Sequence, residues 1–257
     1  PRDQWTYFGT TDTNFAGNLI HPEVTQADCK YLLKAVNQMF PAANLKVEDI
    51  ESSWAGVRPL IHEEGKGPSE LSRKDEVFKS SSGLLTIAGG KLTGFRKMAE
   101  KIVDIVAKRL NGADSNLGLG KCLTDQIKLT GFRFESEAEM TSQVERLSKA
   151  FDMPAKEVKW VHQLFGSETK RILDEAEGKD EIAVLKAALH YCIAEEAVCT
   201  LGDFYIRRTA LLYFGRKWIA PSLPAAKAVF ASVFGEEYDA DPNHEFEKAY
   251  AAALDFE

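Results

Sequence analysis

The 257-residue sequence contains no run of about 18 apolar residues, which argues against a membrane-spanning helix. Its five histidines (His21, His62, His162, His190 and His244) form no HExxH and no Cys/His cluster, so no structural zinc is expected. Cysteine is scarce: Cys29, Cys122, Cys192 and Cys199 include no CxxC pair. Cys192 and Cys199 fall in a helical stretch, separated by roughly 10 Å of rise, beyond disulfide reach. Reduced, mostly buried thiols in a cytoplasmic protein are therefore expected. An excess of positive charge is also missing, with 32 Lys and Arg against 39 Asp and Glu and a net charge of -7. That disfavours a nucleic-acid or anionic-membrane surface. It leaves room for a small basic pocket facing an anionic metabolite. The start, Pro1-Arg2-Asp3-Gln4-Trp5, shows no signal-peptide pattern and no initiator Met, so the chain is expected to begin within a longer protein or to have been trimmed.

What is present is an ordinary globular composition, 44% hydrophobic and 28% charged, sufficient to bury a core. The pattern changes near residue 112. Before it, strand-like and helical pieces alternate. Residues 5–11 (Trp5, Tyr7, Phe8, Thr10) suit a strand. Ala27, Tyr31, Leu32, Ala35, Val36 and Met39 have helical spacing over 26–39, with Thr25 as N-cap and Pro41 just beyond the end. Ile50 to Ile61 reads as a strand interrupted by Gly56 and Pro59, and 62–74 as a polar loop. Leu84 to Ala88 reads as a buried strand, broken by Gly89-Gly90. A helix follows from Thr93 to Leu110, with Phe95, Met98, Ile102, Ile105 and Val106 on one face.

Asn111 to Asn116 is rich in turn residues. Helices are expected at 136–151, 154–165, 168–177, 181–214, 222–234 and 243–254. Gly202 is positioned to divide the 181–214 stretch in two. The expected architecture is α+β over residues 1–112, a linker at 113–122, and an all-α region over 123–257.

Four segments carry candidate chemistry. In Leu84 to Arg96 a strand ends at Gly89-Gly90 and feeds a helix. Glycines let backbone approach a flat ligand. The helix start offers unpaired N–H groups and the positive end of a dipole. Lys91 adds a cation. A capping turn with a surface lysine is the plainer reading. In Ser53-Trp54-Ala55-Gly56-Val57-Arg58-Pro59-Leu60, Arg58 is a cation among apolar neighbours and needs an anionic partner. An internal carboxylate and a substrate phosphate both qualify. Arg73, in Ser72-Arg73-Lys74-Asp75, is either a solvated loop residue or a third cation converging with Arg58 and Lys91 on a dianion. Asp203 and Arg207 form an i,i+4 pair that reads as a structural ion pair. Glu195-Glu196 and Glu236-Glu237 read as solvated faces, and His62 as an unpartnered loop residue.

Phe8-Gly9-Thr10-Thr11-Asp12-Thr13, the run Ser53 to Leu60, and Gly89-Gly90-Lys91-Leu92-Thr93 through Arg96 resemble the FAD-dependent glycerol-3-phosphate dehydrogenases. Ala197-Val198-Cys199-Thr200-Leu201, Asp203 and Arg207-Arg208-Thr209 resemble the helical C-terminal domain of that family. These motifs fall in the family's order over nearly the whole chain. The short loop between Arg58 and Arg73 resembles the dehydrogenases more than the α-glycerophosphate oxidases, which carry an insertion there.

The resemblance implies oxidation of sn-glycerol 3-phosphate to dihydroxyacetone phosphate, with hydride passing to FAD and electrons to a respiratory quinone. It implies Arg58 and Lys91 at the substrate, Arg73 on its phosphate, and Gly90, Lys91, Leu92 and Thr93 at the flavin. The family's strand–GxGxxG–helix unit for the ADP part of FAD is missing; Gly118-Leu119-Gly120 lacks the third glycine. The chain alone is therefore expected to hold FAD weakly or not at all and to be inactive, with the catalytic base upstream of Pro1. Oxygen as acceptor, as in the oxidases, is the alternative. Another is that 123–257 docks a partner, the cytoplasmic membrane surface or a second copy as a homodimer.

Overall fold

The computed structural model describes residues 5–13, 15–57 and 75–256. Among them the order is α1 (Gln26–Met39), β1 (Asp75–Lys79), β2 (Leu85–Gly89), α2 (Phe95–Ala113), α3 (Glu137–Phe151), α4 (Ala155–Phe165), α5 (Thr169–Asp174), α6 (Glu181–Glu196), a π-helix (Asp203–Arg208), α7 (Leu211–Phe214), α8 (Ile219–Phe234) and α9 (Glu245–Ala252), with short 3₁₀ turns between. The chain divides into two compact units.

The larger unit comprises residues 1–11, 23–55 and 128–257. Its core is apolar and helical: Val158, Val161, Ile172, Leu189, Cys192, Phe204, Tyr205 and Phe230 are all fully buried. Helix α6 lies at the centre and is apolar nearly all round, as befits a helix covered on several sides. Its start is capped by Asp180, whose carboxylate accepts from the Ala183 amide at 2.9 Å. It ends where Ala197 turns left-handed. The expected split of the long stretch 181–214 is present, and the break falls just before Thr200-Leu201-Gly202. The connection out of α4 needs Gly166, at φ 55°. A Cβ there would lie 1.8 Å from the Gly131 carbonyl oxygen, so no other residue fits.

Helix α1 begins and ends where the spacing places it. The Thr25 hydroxyl accepts from the Asp28 amide at 3.3 Å, and the Asp28 carboxylate accepts from the Thr25 amide at 3.1 Å. This reciprocal box holds the Asp28 carboxyl below its ordinary range, chiefly through the Thr25 hydroxyl.

The smaller unit comprises residues 12–22 and 56–127. β1 and β2 form an antiparallel hairpin in the register Asp75↔Gly89, Val77↔Ile87 and Lys79↔Leu85. Lys101 of α2 pairs with Asp75 at 2.8 Å, and Arg109 donates to the Gly83 carbonyl at 2.9 Å. These bonds hold the helix along the hairpin.

Two sequence expectations fail among the described residues. Residues 6–13 form no strand, and 51–57 are extended without a ladder. Their aromatics pack against helices instead of pairing in a sheet. Strand β1 was not anticipated: three of its five residues are charged, which hides the alternation around Val77. The remaining helices appear within a few residues of expectation, and α2 runs three residues beyond Leu110, through the turn-rich Asn111–Ala113. No described helix is long and apolar enough to cross a membrane. Of the four free cysteines, Cys29 and Cys192 are buried, Cys122 is half-buried and Cys199 is exposed.

Candidate functional site

The glycine turn leads into the first candidate site. β2 ends at Gly89, and Gly89 and Gly90 both take positive φ, 77° and 81°. This is a left-handed bend that other residues resist. A Cβ on Gly90 would approach the Met98 sulfur to 2.6 Å, so the bend is packed from beneath by α2 itself. Lys91 then caps a single 3₁₀ turn, Leu92–Gly94, which runs into the 19-residue α2. The side chains of Lys91, Leu92 and Thr93 all point outward. Leu92 is 88% exposed and Phe95 63%. No described carboxylate pairs with Lys91. Its neighbour Arg96 is already engaged, with Glu100 at 2.7 Å and the Thr124 hydroxyl at 3.1 Å.

This arrangement suits a flat, anionic group. The dipole end is positive, and the glycines remove side chains that would hold a ring away, while the Gly94 and Phe95 amides already donate to the Lys91 and Leu92 carbonyls. Lys91, Leu92 and Thr93 are exposed in succession, next to a half-buried Gly90. Arg58 and Arg73, the other two cations expected there, lie outside the described residues, as does His62.

A second grouping gathers the ends of two motifs within the larger unit. Tyr7, Trp54, Tyr213 and Phe214 form an aromatic cluster. Trp54 sits 4.7 Å from Tyr213 and 5.9 Å from Phe214, ring centre to ring centre, while Tyr7 reaches Trp54 at 6.2 Å and Phe214 at 5.7 Å. The two preceding serines are pinned as well. Ser52 Oγ donates to the Leu212 carbonyl at 3.0 Å, and the Ser53 amide donates to the Ala253 carbonyl at 2.9 Å. The sequence offered little sign of this, since Tyr7 and Trp54 read equally well as strand residues.

Asp203 and Arg207 do pair, at 3.0 Å. Asp203 does more than that. Its carboxylate accepts from the amides of Cys199 (3.1 Å) and Thr200 (3.0 Å), while the Thr200 hydroxyl accepts from the Asp203 amide at 3.1 Å. This is a capping box in the spacing Thr-x-x-Asp. Burial pushes the Asp203 carboxyl upward, but these bonds and Arg207 prevail and hold it below the usual carboxylate range. Its role is structural. Glu195 and Glu196, read as solvated, pair with Arg171 and Arg208 respectively.

The larger unit also contains a cavity of about 620 Å³, lined by Trp160, Trp218, Phe214, Leu185, Lys156 and Glu157 among others. Gly90, Lys91, Leu92 and Thr93 do not line it. Lys156 is bound to Glu181 at 2.8 Å and lies over the Trp218 ring. On the surface, Asp241, His244 and Glu247 approach one another within 4.8 Å. Asp241 is occupied in accepting from the Phe246 and Glu247 amides in the first turn of α9.

Comparison with known proteins bears on both regions. Residues 1–96 match a family model described as FAD dependent oxidoreductase. Residues 122–240 match one described as the C-terminal domain of alpha-glycerophosphate oxidase. The aerobic glycerol-3-phosphate dehydrogenase of Bacillus subtilis is 45% identical over 229 residues, covering 85% of this chain and 41% of that protein. The enzyme of the same name from Staphylococcus haemolyticus is 40% identical over 263 residues, covering 99% of this chain and 47% of the relative. Among solved structures, glycerol-3-phosphate dehydrogenase from Bacillus halodurans complexed with FAD superposes with a TM-score of 0.79 at 36% identity, covering 96% of this chain and 49% of that one. The chain thus spans about half the length of the relatives it matches. Over about half of their length, it is similar to FAD-dependent glycerol-3-phosphate dehydrogenases.

Proposed function

We propose that this chain, extended to the full length of its relatives, oxidises sn-glycerol 3-phosphate to dihydroxyacetone phosphate. The observation that carries the reading is the turn at Gly89-Gly90, which sets Leu92, Thr93 and Lys91, all exposed and Lys91 without a carboxylate partner among the described residues, at the start of α2. FAD, when bound, supplies the hydride acceptor. The chain's own residues do the rest. Gly90, Leu92 and Thr93 face the flavin and shield one side of it from water. The start of α2 and Lys91 favour negative charge there. Arg73 holds the substrate phosphate and Arg58 contacts the substrate, so that the carbon that loses hydride is held in place. Lys91 contacts substrate as well as flavin. The family match over both regions supports the same assignment.

The finer parts of the proposal follow the same resemblance. Electrons leave to a respiratory quinone at the cytoplasmic face of the membrane, where the protein associates peripherally, alone or as a homodimer. The division into 1–112, a linker at 113–122 and 123–257 is retained as the functional division. The 257-residue chain by itself carries only part of the site and neither retains FAD nor turns over. Absence of flavin absorbance in the purified chain is the expected result; one FAD per chain contradicts it. Oxygen as acceptor is a second reading, favoured by the oxidase description of the match over 122–240. Stoichiometric peroxide from the full-length protein selects it.

The assignment is tested by steady-state kinetics of the full-length holoenzyme. Arg58→Ala and Arg73→Ala each lower kcat/KM on the order of 100-fold, as expected when a cation that pairs with the anionic substrate is removed. Lys91→Ala lowers it less, because an exposed cation is better solvated. Wild-type kcat/KM in both arginine variants rejects the site.

A further inference from the structure

We propose that the cavity of the larger unit binds a small organic cation, an ammonium group carried on a flat apolar body, with Glu157 as its anchor. The inference is independent of the function proposed above. The cavity, about 620 Å³, has a size that suits small molecules. Helices α4 and α6 and the 3₁₀ turn Arg216–Trp218 before α8 supply most of its lining, all within the larger unit.

Glu157 is the side chain there whose hydrogen-bonding capacity is left over. It stands at the third position of α4, and helical spacing puts Trp160 and Leu164 on the same face. It is only 8% exposed, and its carboxylate oxygen Oε2 has no hydrogen-bond partner among the described residues. The other oxygen, Oε1, lies 3.7 Å from Lys156 Nζ, too far for a hydrogen bond. Lys156 is itself engaged, by Glu181 at 2.8 Å and the Trp218 ring at 4.7 Å. A buried carboxylate without donors is costly. The positive end of the α4 dipole offsets part of that cost, since it favours negative charge in the first turn. What remains is a demand for N–H donors and positive charge. The last torsion of a glutamate is soft, so a turn of the carboxylate presents an oxygen to the cavity that the side chain lines.

The walls select the rest of the ligand. Trp160, Trp218 and Phe214 offer aromatic surface to the cavity. Cations rest favourably on the faces of such rings, and Lys156 already does so on Trp218. Glu181 brings a second carboxylate to the lining. The lysines do not reverse this preference. Lys156 is paired, while Lys159 and Lys217 are exposed, so neither needs charge from a ligand. An ammonium group that meets the buried Glu157 carboxylate, on an aromatic body that lies among the indole rings, satisfies both the orphaned acceptor and the apolar walls.

Isothermal titration calorimetry of the full-length protein with tryptamine tests this, beside two compounds of similar shape. In tryptophol a hydroxyl replaces the ammonium, and in indole-3-propanoate a carboxylate does. Tryptamine binds, tryptophol binds roughly tenfold or more weakly, and indole-3-propanoate binds more weakly still. Glu157→Gln, which keeps the size of the side chain and removes its charge, lowers the affinity for tryptamine roughly tenfold and changes that for tryptophol less than about twofold. Trp160→Leu, which keeps the carboxylate and removes one aromatic wall, lowers the affinity for tryptamine roughly threefold or more, and it decides the matter if Glu157→Gln folds poorly. No binding of tryptamine at millimolar concentration, tighter binding of indole-3-propanoate than of tryptamine, or an unchanged tryptamine affinity in either folded variant overturns the inference.

Discussion

The two units of this chain treat apolar side chains in opposite ways. The larger unit encloses Val158, Ile172, Leu189, Phe204 and Phe230 completely, and its helices pack on one another around them. The smaller unit has no fully buried apolar side chain among its described residues, and Phe95, Val103 and Leu110 of α2 remain open to solvent. Both contain amphipathic helices of similar quality. The difference shows that an apolar stripe by itself stabilises little. Its contribution comes from what covers it, and only the helical unit supplies that cover from within. Exposed Leu92 and Phe95 stand at the start of α2, so the region proposed to meet the flavin belongs to the unit with no fully buried apolar side chain among its described residues.

The largest expected effect separates the two units directly. Phe204→Ala destabilises the chain by about 3–5 kcal/mol, read from the midpoint of urea unfolding. Next, Gly166→Ala costs about 2 kcal/mol or more, because the new Cβ collides with the Gly131 carbonyl and the backbone has positive φ. Asp203→Asn comes third, at about 1 kcal/mol at neutral pH, the ordinary worth of a helix cap. Its pH dependence has a definite sign. The folded carboxyl titrates below its unfolded counterpart, so its stabilisation is complete above the unfolded carboxylate range and is lost as pH falls through the depressed folded value. The difference between wild type and Asp203→Asn therefore narrows in acid. Phe95→Ala has the smallest effect, less than about 0.5 kcal/mol, as for an exposed surface change. A loss there matching Phe204→Ala would erase the contrast between the units.

Much of this was legible in the sequence where one local rule decides the outcome. Thr25 and Asp28 announce the start of α1, and a T-x-x-D box cannot be satisfied elsewhere in that stretch. Gly89-Gly90 announces the left-handed bend before α2, since both residues adopt it. The α+β region followed by an all-α region was readable from the change in periodicity near residue 112. What could not be read depends on distant partners. Tyr7 and Trp54 have strand-like character, but α7, some 160 residues after Trp54 and some 200 after Tyr7, uses them as packing surface. The Asp203–Arg207 pair was visible from its spacing. The capping of Cys199 and Thr200 by Asp203 was equally present in the Thr200-x-x-Asp203 spacing and was overlooked because the ion pair already accounted for the aspartate. Of the candidate site, Gly90 to Thr93 lie at the turn before α2, with Lys91, Leu92 and Thr93 exposed, while Arg58 and Arg73 lie outside the described residues.

The most direct test of the account is anaerobic addition of sn-glycerol 3-phosphate to the full-length protein while the visible absorbance of its flavin is followed. Rapid bleaching in the parent, and bleaching only at far higher substrate concentration in Arg58→Ala, is the predicted result. A flavin that stays oxidised at saturating substrate, or that bleaches identically in parent and variant, contradicts it.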